Sequence, residues 1–382
     1  MRILFTSGPM YGHVNAVLPL AIAAQRAGHE VVVATGADLI PHVERFQLTA
    51  WPVGLTHNQA GGNRHDSWLN YFATSALKRA EDLVPRAVAW KPDLVIHEET
   101  ELAGPTVAAI VGARHYVHGL GLMPPARIWL PFAAAIEAIG HRWNVRNIAR
   151  TLPEATYLHM CPPALQSPGE RMWKHVVSLR PAGGMVAPGD RLPVGFGLLP
   201  YSRTVHLTLG TVFHESTDVL ESAIASLRKL AFNLVVTVGP GVDPARFGPQ
   251  PAHVLIERYV SHALLLPHCC LVVSQGGAGI MFGALSHGLP QLVIPQGGDQ
   301  FMNAEACQKS GAALSLAPAE ISGDAIAAAV ERLLIEPAFT ATARAIRAEI
   351  QSMPDAETTL DILTATLARC FHALRIHWYQ KN

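Results

Sequence analysis

Short apolar runs alternate with helical spacings along most of the chain. Ile3 to Thr6, Glu30 to Thr35, Asp93 to His97 and His115 to His118 have strand length. Between them, Val14 to Ala27 and Leu102 to Val111 carry helical patterns that stop at Gly28 and Gly112. Strands apolar on both faces and joined by helices predict a parallel sheet covered on both sides. The rhythm blurs from Leu120 to Pro200, and Pro and Gly concentrate from Pro181 to Pro200, which predicts a linker. It then restarts with strands at Val205 to Thr208, Leu234 to Val238, Val254 to Glu257, Leu271 to Ser274 and Gln291 to Ile294. Helices are predicted at Val219 to Leu230, Ala278 to Ser286, Gln300 to Lys309 and Glu320 to Leu334. The reading is an α/β protein of two Rossmann-like domains, 1–180 and 203–354, joined by 181–202. A C-terminal helix and tail, 355–382, are free to return to the first domain.

Composition narrows the function classes. Apolar residues make up 49% of the 382 and charged residues 15%, enough for two cores. Lys+Arg and Asp+Glu are both 29, so the basic excess that displaces counterions from nucleic acid is missing. Five scattered cysteines without a CxxC pair form neither a disulfide framework nor a zinc site. The chain opens on a strand-like run without signal-peptide features, and no apolar run is long enough to span a bilayer. These features predict a cytoplasmic location; a homodimer is compatible with them but not encoded visibly.

Candidate chemistry concentrates in the second half. Leu271-Val-Val-Ser-Gln-Gly-Gly-Ala-Gly279 runs from a buried strand through Gly276-Gly277 into a helix. Such a turn brings backbone N–H groups close to a ligand, and the helix start favours an anion such as a diphosphate. Packing alone would also use a Gly-rich turn here. After the next strand comes Gln296-Gly-Gly-Asp-Gln300, where Asp299 and Gln300 offer a carboxylate and a carboxamide to sugar hydroxyls. Asp299 also suits a plain helix N-cap. Thr208-Leu-Gly210-Thr211 is a second strand-to-loop turn that fits phosphate or an ordinary β-turn. Arg258-Tyr259-Val260 fits either a frame for a flat base or a packing aromatic.

Gly210-Thr211, Arg258-Tyr259-Val260, Val273-Ser-Gln-Gly-Gly-Ala-Gly279 and Pro295-Gln-Gly-Gly-Asp-Gln300 together resemble the UDP-glucosyl/glucuronosyl-type glycosyltransferase superfamily, and within it the bacterial enzymes that glycosylate natural products such as antibiotics. The resemblance implies a GT-B fold, with two Rossmann-like domains and their parallel sheets facing across a cleft. It implies that Gly276, Gly277 and Ala278, with Thr211, contact the diphosphate of a TDP- or UDP-sugar, in a donor site that also takes in Gly210, Gln275 and Gly279. Asp299 and Gln300 would then hold the sugar, with Arg258, Tyr259 and Val260 near the base. The chain departs from the family's pattern at Gln275, where most relatives carry His, and at His262, near which they usually carry Gln.

The loop Ser7-Gly-Pro-Met-Tyr-Gly-His13 lies at the carboxyl end of the first strand, where open α/β sheets place ligands. His13, just before the helix predicted from Val14, suits a general base or a helix-capping His. Gly12-His13 is similar to the family's catalytic position, which implies the base. An imidazole base needs a carboxylate to orient it. Among His97-Glu98-Glu99-Thr100-Glu101, Glu98 is the first choice and Glu99 the second, with Glu101 read as a solvated acid at a helix start. No DxD pair occurs, so no metal and no cofactor are expected beyond the donor substrate. The implied enzyme is a metal-independent hexosyltransferase-type enzyme. It would move a sugar, in the deoxysugar class, to a hydroxyl of a small apolar aglycone by inverting displacement. Trp68, Tyr71, Phe72, Met123, Trp129, Phe132 and Trp143 are available to an acceptor cleft or to the core. The alternatives are a sugar-nucleotide isomerase or epimerase of the same fold and a non-catalytic sugar-nucleotide-binding helper.

Overall fold

The computed structural model describes residues 1–60, 67–166, 172–210, 217–239 and 241–365. Two wholly parallel sheets organise them. The first contains β1 (Arg2–Thr6), β2 (Glu30–Thr35), β3 (Thr49–Pro52), β4 (Leu94–Glu98), β5 (Arg114–His118), β6 (Thr156–His159) and β7 (His175–Ser178), in the order β3-β2-β1-β4-β5-β6-β7. The second contains β8 (Thr204–Thr208), β9 (Asn233–Thr237), β10 (Val254–Glu257), β11 (Leu271–Ser274), β12 (Gln291–Val293) and β13 (Ala313–Ser315), in the order β10-β9-β8-β11-β12-β13. β1 is wholly buried after Arg2, and β8, β9 and β11 are buried throughout. That is the pattern required of strands covered by helices on both faces.

Each sheet reverses its winding direction once, between β1 and β4 and between β8 and β11. Loops diverge at such a point and leave a crevice at the carboxyl ends of the strands. The crevice of the first sheet holds the loop before His13 and the turn after Glu98; that of the second holds Gly210 and the stretch from Gln275 to Gly279. The helices Tyr11–Arg26 and Ala278–Ser286 touch across the cleft. A Cβ built on Gly121 would lie 2.9 Å from that of Ala278. Leu122, Cys161 and Leu165 of the first half join Met281, Phe282 and Leu285 of the second in one apolar cluster.

The blurred middle of the sequence holds regular structure. β6, β7 and the helix Ala126–Arg142 lie there, and β3, the helix Trp68–Trp90 and the helix Pro337–Ser352 also add to the elements expected from the sequence. The helix expected from Val14 begins at Tyr11, so His13 is the third residue of its first turn. The helix expected from Glu320 begins at Gly323, where the Ser322 side chain caps the Ala325 amide. Residues 356–365 form a helix whose Leu360 and Leu363 pack with Ile3 and Phe5, while the rest of the expected C-terminal helix and the tail lie outside the described residues. Among the described residues no helix is long and apolar enough to cross a membrane.

The turn after β4 is fixed by Glu101, an acid expected in solvent. Glu101 does sit at a helix start, accepting from the amides of Ala103 (3.0 Å) and Gly104 (2.8 Å), but it has no exposed surface. Arg79, on the helix Trp68–Trp90, pairs with it at 3.2 Å, because a buried carboxylate in this apolar setting needs a counter-charge. Burial still holds the Glu101 carboxyl above its usual range, against the pull of Arg79 and the Ala103 amide. Arg79→Met is expected to destabilise the protein by roughly 3 kcal/mol, the low end for a severed buried pair, because Arg79 Nε and Nη2 already lack partners. Arg79→Met/Glu101→Gln should recover part of the loss in urea unfolding; no recovery would mean that the charge is not the cause.

His97, His118 and His206 are buried with at most 2% of their surface exposed. Burial lowers His97 and His118 to about 4 and His206 to about 3. The unfolded chain therefore binds protons that the folded one refuses. Their contribution is complete above about pH 6.5 and shrinks as pH falls toward 4. His206 Nδ1 lies 3.0 Å from the Val235 carbonyl. His206→Asn keeps a donor there and removes one titrating group. It should flatten the loss of stability between pH 6.5 and 5 by up to about 1.4 kcal/mol per pH unit relative to the parent; identical slopes would refute the assignment.

Candidate active site

The two crevices bring most of the sequence-derived residues together. His13 Nδ1 lies 3.0 Å from Glu98 Oε1. Glu98 has no exposed surface and is held by further donors: the amides of Gly8 (3.0 Å) and Thr100 (2.6 Å) and the Thr100 hydroxyl (2.9 Å to Oε2). Burial by itself would raise the Glu98 carboxyl. The charge and hydrogen bond of His13 and the two amides outweigh it and bring the group down to about 2. Gly8 leaves room for this approach: a Cβ there would crowd Glu98 Oε1 at 3.1 Å and touch His13 Nδ1 at 3.5 Å. With Nδ1–H donated to the carboxylate, the lone pair of His13 sits on Nε2.

Glu99, the second choice for this carboxylate, points elsewhere. Its Oε2 accepts the Tyr157 hydroxyl at 2.5 Å. Burial pushes its carboxyl up to about 8, with the Glu98 and Asp299 charges adding and the Tyr157 bond opposing. Glu99 is thus neutral at pH 7. Thr100 was passed over in the sequence, yet its hydroxyl is within 3.2 Å of His13 Nδ1 and 3.0 Å of Glu98 Oε1. Its place in the Glu98-Glu99-Thr100 turn was the only available signal.

Beside His13 lies an aromatic wall. The Phe72 ring is 5.8 Å from the imidazole and stacks with Trp68 at 5.8 Å. Phe132 approaches Phe72 at 6.2 Å, and Tyr71 is hydrogen-bonded through its hydroxyl to His57 Nδ1 at 2.8 Å. Tyr71, Met123 and Trp129 are core residues with 4% exposure or less, whereas Trp68, Phe132 and Trp143 are half-buried at its edge.

Across the cleft, β11 is followed by Gln275-Gly276-Gly277, and the helix Ala278–Ser286 then starts, with Gly279 in its first turn. Gly276 has φ +82°, and a Cβ on it would meet Val293 Cγ1 at 2.5 Å, so no other residue fits. The first amides of this helix lack intrahelical acceptors, and a helix start of this kind can hold an anion. The Gln275 carboxamide lies against both Gly turns: its Nε2 is 2.2 Å from a Cβ built on Gly210 and 2.9 Å from one on Gly277. Gln275 Oε1 is buried without a hydrogen-bond partner. Thr211 lies outside the described residues.

Asp299 precedes the helix Gln300–Ser310 but does not cap it through its side chain, which instead accepts from Asn303 Nδ2 at 2.8 Å. Protein crowding raises its carboxyl, while Asn303 and the charge of His13 lower it, so the two domains' ionisable groups feel each other across the cleft. Gln300 is buried, and its Oε1 is taken by the amides of Gln296 (2.8 Å) and Gly297 (3.1 Å), which leaves only its NH2 for a ligand. Tyr259 is 55% exposed and lies under the Arg45 guanidinium at 6.0 Å, so it is not a packing aromatic. Val260 is buried in the core, and Arg258 pairs at the surface with Asp243 at 3.3 Å.

The matches to known proteins agree with this arrangement. The Erythromycin biosynthesis protein CIII-like C-terminal domain matches residues 222–365. The L-demethylnoviosyl transferase of Streptomyces niveus is 31% identical over 341 residues, covering 83% of this chain and 85% of its own. The elloramycin glycosyltransferase of Streptomyces olivaceus is 29% identical, covering 93% of this chain and 94% of its own. Among solved structures, the glycosyltransferase VinC in complex with DTDP superposes with a TM-score of 0.79 at 28% identity, covering 97% of this chain and all of the other. The spinosyn rhamnosyltransferase SpnG complexed with spinosyn aglycone does so with a TM-score of 0.80 at 26% identity, covering 95% of this chain and all of the other. The chain therefore belongs to the natural-product glycosyltransferases of antibiotic biosynthesis, nucleotide-sugar-dependent enzymes of the GT-B fold.

Proposed function

We propose that this enzyme transfers a deoxysugar from a nucleoside-diphosphate donor to a hydroxyl group of an apolar natural-product aglycone, with inversion at the anomeric carbon. The observation that carries the mechanism is the contact between His13 and the fully buried Glu98 at the mouth of the first crevice. Glu98 fixes the tautomer and steadies the imidazolium. His13 Nε2 takes the proton of the acceptor hydroxyl, the acceptor oxygen bonds to the anomeric carbon, and the bond from that carbon to the diphosphate oxygen breaks. The negative charge left on the nucleoside diphosphate is met by the amides at the start of the helix Ala278–Ser286.

Two features support the substrate classes. The aromatic wall of Trp68, Phe72 and Phe132 beside His13 suits an apolar acceptor. The relatives named above are sugar transferases, and a thymidine diphosphate is bound in one matching structure, which favours a thymidine-linked donor. Asp299 and the NH2 of Gln300 face the sugar in this reading, and exposed Tyr259 lies against the base.

His13→Ala should lower transfer by about 10²- to 10⁴-fold, the range of a general base, with thymidine diphosphate affinity unchanged. Glu98→Gln should fall in the same direction, because the orienting charge is lost. Turnover of a panel of polyphenolic and macrolide aglycones, combined with calorimetric titration of thymidine diphosphate, separates the two effects. Parent-like turnover by His13→Ala would eliminate the proposed base.

Gln275 contacts the diphosphate as a neutral amide in this reading, so the position adds no cation at any pH. Gln275→His is expected to remain active and to bind thymidine diphosphate roughly 3- to 10-fold more tightly at pH 6 than at pH 8, beyond any change in the parent, as the new imidazole becomes charged. A large loss of affinity at both pH values would show that the carboxamide makes a contact that imidazole cannot.

A further inference from the structure

We infer that Asn303 is a positioning residue that ties the sugar end and the diphosphate end of the donor site into one unit. Both protons of its side-chain amide are committed. Nδ2 donates to the Gly276 carbonyl at 2.9 Å and to Asp299 Oδ2 at 2.8 Å. The first acceptor belongs to the Gly-rich turn after β11. The second is the carboxylate at the start of the helix Gln300–Ser310. Asn303 is 1% exposed and touches neither substrate in the proposed reading, so it acts through the groups it holds.

The geometry gives each bond a consequence. Holding the Gly276 carbonyl fixes the orientation of the peptide that joins Gly276 to Gly277, and so directs the Gly277 N–H. Gly276 stands at φ +82°, a conformation open to glycine, and glycine gives the peptide the rotational freedom that this hydrogen bond restricts. Holding Asp299 Oδ2 fixes the direction of the carboxylate, and the hydrogen bond opposes the crowding that raises it. Gln300 completes the arrangement by pinning Gln296 and Gly297 through Oε1. The first turn of one helix thus organises both loops that face the donor. Asn303 Oδ1 is buried without a partner, a cost that an apolar packing residue would avoid.

Aspartate or leucine at this place breaks the tie in different ways. Leucine matches the size and offers no donor. Aspartate can donate only when protonated; when ionised it repels both the Gly276 carbonyl and the Asp299 carboxylate.

The inference rests on the reading of Asp299 as a sugar contact, and the test separates the two. Thymidine diphosphate and thymidine-diphosphate glucose are titrated calorimetrically into the parent, Asp299→Asn, Asn303→Leu and Asn303→Asp. The sugar increment is the ratio of the two affinities. Asp299→Asn should lose the sugar increment and keep thymidine diphosphate affinity. Asn303→Leu should lose both, with thymidine diphosphate weakened about 10- to 100-fold. Asn303→Asp should bind thymidine diphosphate more tightly at pH 6 than at pH 8 by a larger factor than the parent does, a dependence that a packing role would not create. It also decides the matter if Asn303→Leu fails to fold. Parent-like affinities in Asn303→Leu, or loss of the sugar increment alone, would overturn the inference. So would an Asn303→Asp variant with the pH dependence of the parent. An unchanged sugar increment in Asp299→Asn would remove the sugar contact, and with it the tie between the two ends, while leaving the hold on Gly276 to be read from thymidine diphosphate.

Discussion

Glu98 is a carboxylate with no exposed surface, and the first crevice is built around keeping it charged. Removing such a group from water costs several kcal/mol unless donors replace its hydration. Here they come from three separate stretches: the Gly8 amide after β1, the His13 ring in the first helix, and the Thr100 amide and hydroxyl after β4. They can converge only because β1 and β4 are neighbours at the point where the sheet reverses its winding. The same strand order that opens the crevice therefore supplies the charge within it. The close approach of Gly8 and the early start of the helix at Tyr11 serve this convergence, because a helix beginning later would leave His13 without a fixed direction.

The second sheet meets a different electrostatic demand. Among the described residues, its reversal point, between β8 and β11, carries Gly turns and helix-start amides rather than side-chain cations, and the residue wedged between the turns is the neutral Gln275. A diphosphate held there is met by fixed dipoles, which need no reorganisation as its charge grows. The carboxylate of Asp299 stands apart at the start of the next helix and within the field of His13. An imidazolium formed during proton transfer would be flanked by Glu98 behind it and Asp299 across the cleft. Negative charge would thus stand on both sides of the place where positive charge forms.

Much of the fold was legible because buried parallel strands are apolar on both faces. β1, β2, β4, β8, β9 and β11 announce themselves that way. β3 and β7 do not: each is a half-exposed edge strand of four residues, and neither Thr49–Pro52 nor His175–Ser178 carries an apolar run. The helix Trp68–Trp90 was hidden by Arg79 and Ser75, polar residues on its buried face, and by Pro85 within it. In the site, glycines and the Asp299-Gln300 pair could be read because their chemistry is local. Thr100 and Asn303 could not. Their roles depend on which way a turn and a helix face are aimed, and nothing in the composition of either segment distinguishes them from ordinary polar residues.

The Glu98-Glu99 pair shows most directly why a sequence reading can name a site and still need the fold. Two adjacent residues of one type leave the end of β4 toward opposite sides. One side faces the imidazole and two amides, and its carboxyl falls to about 2. The other faces Tyr157 and the apolar interior, and its carboxyl rises to about 8. At neutral pH one is an anion and the other an acid, although their covalent structures are identical. The charge on Glu98 itself helps to keep Glu99 protonated, since a second carboxylate beside it would be repelled. The pair is therefore not redundant. The direction in which each residue leaves the end of β4 thus selects which glutamate can orient the imidazole.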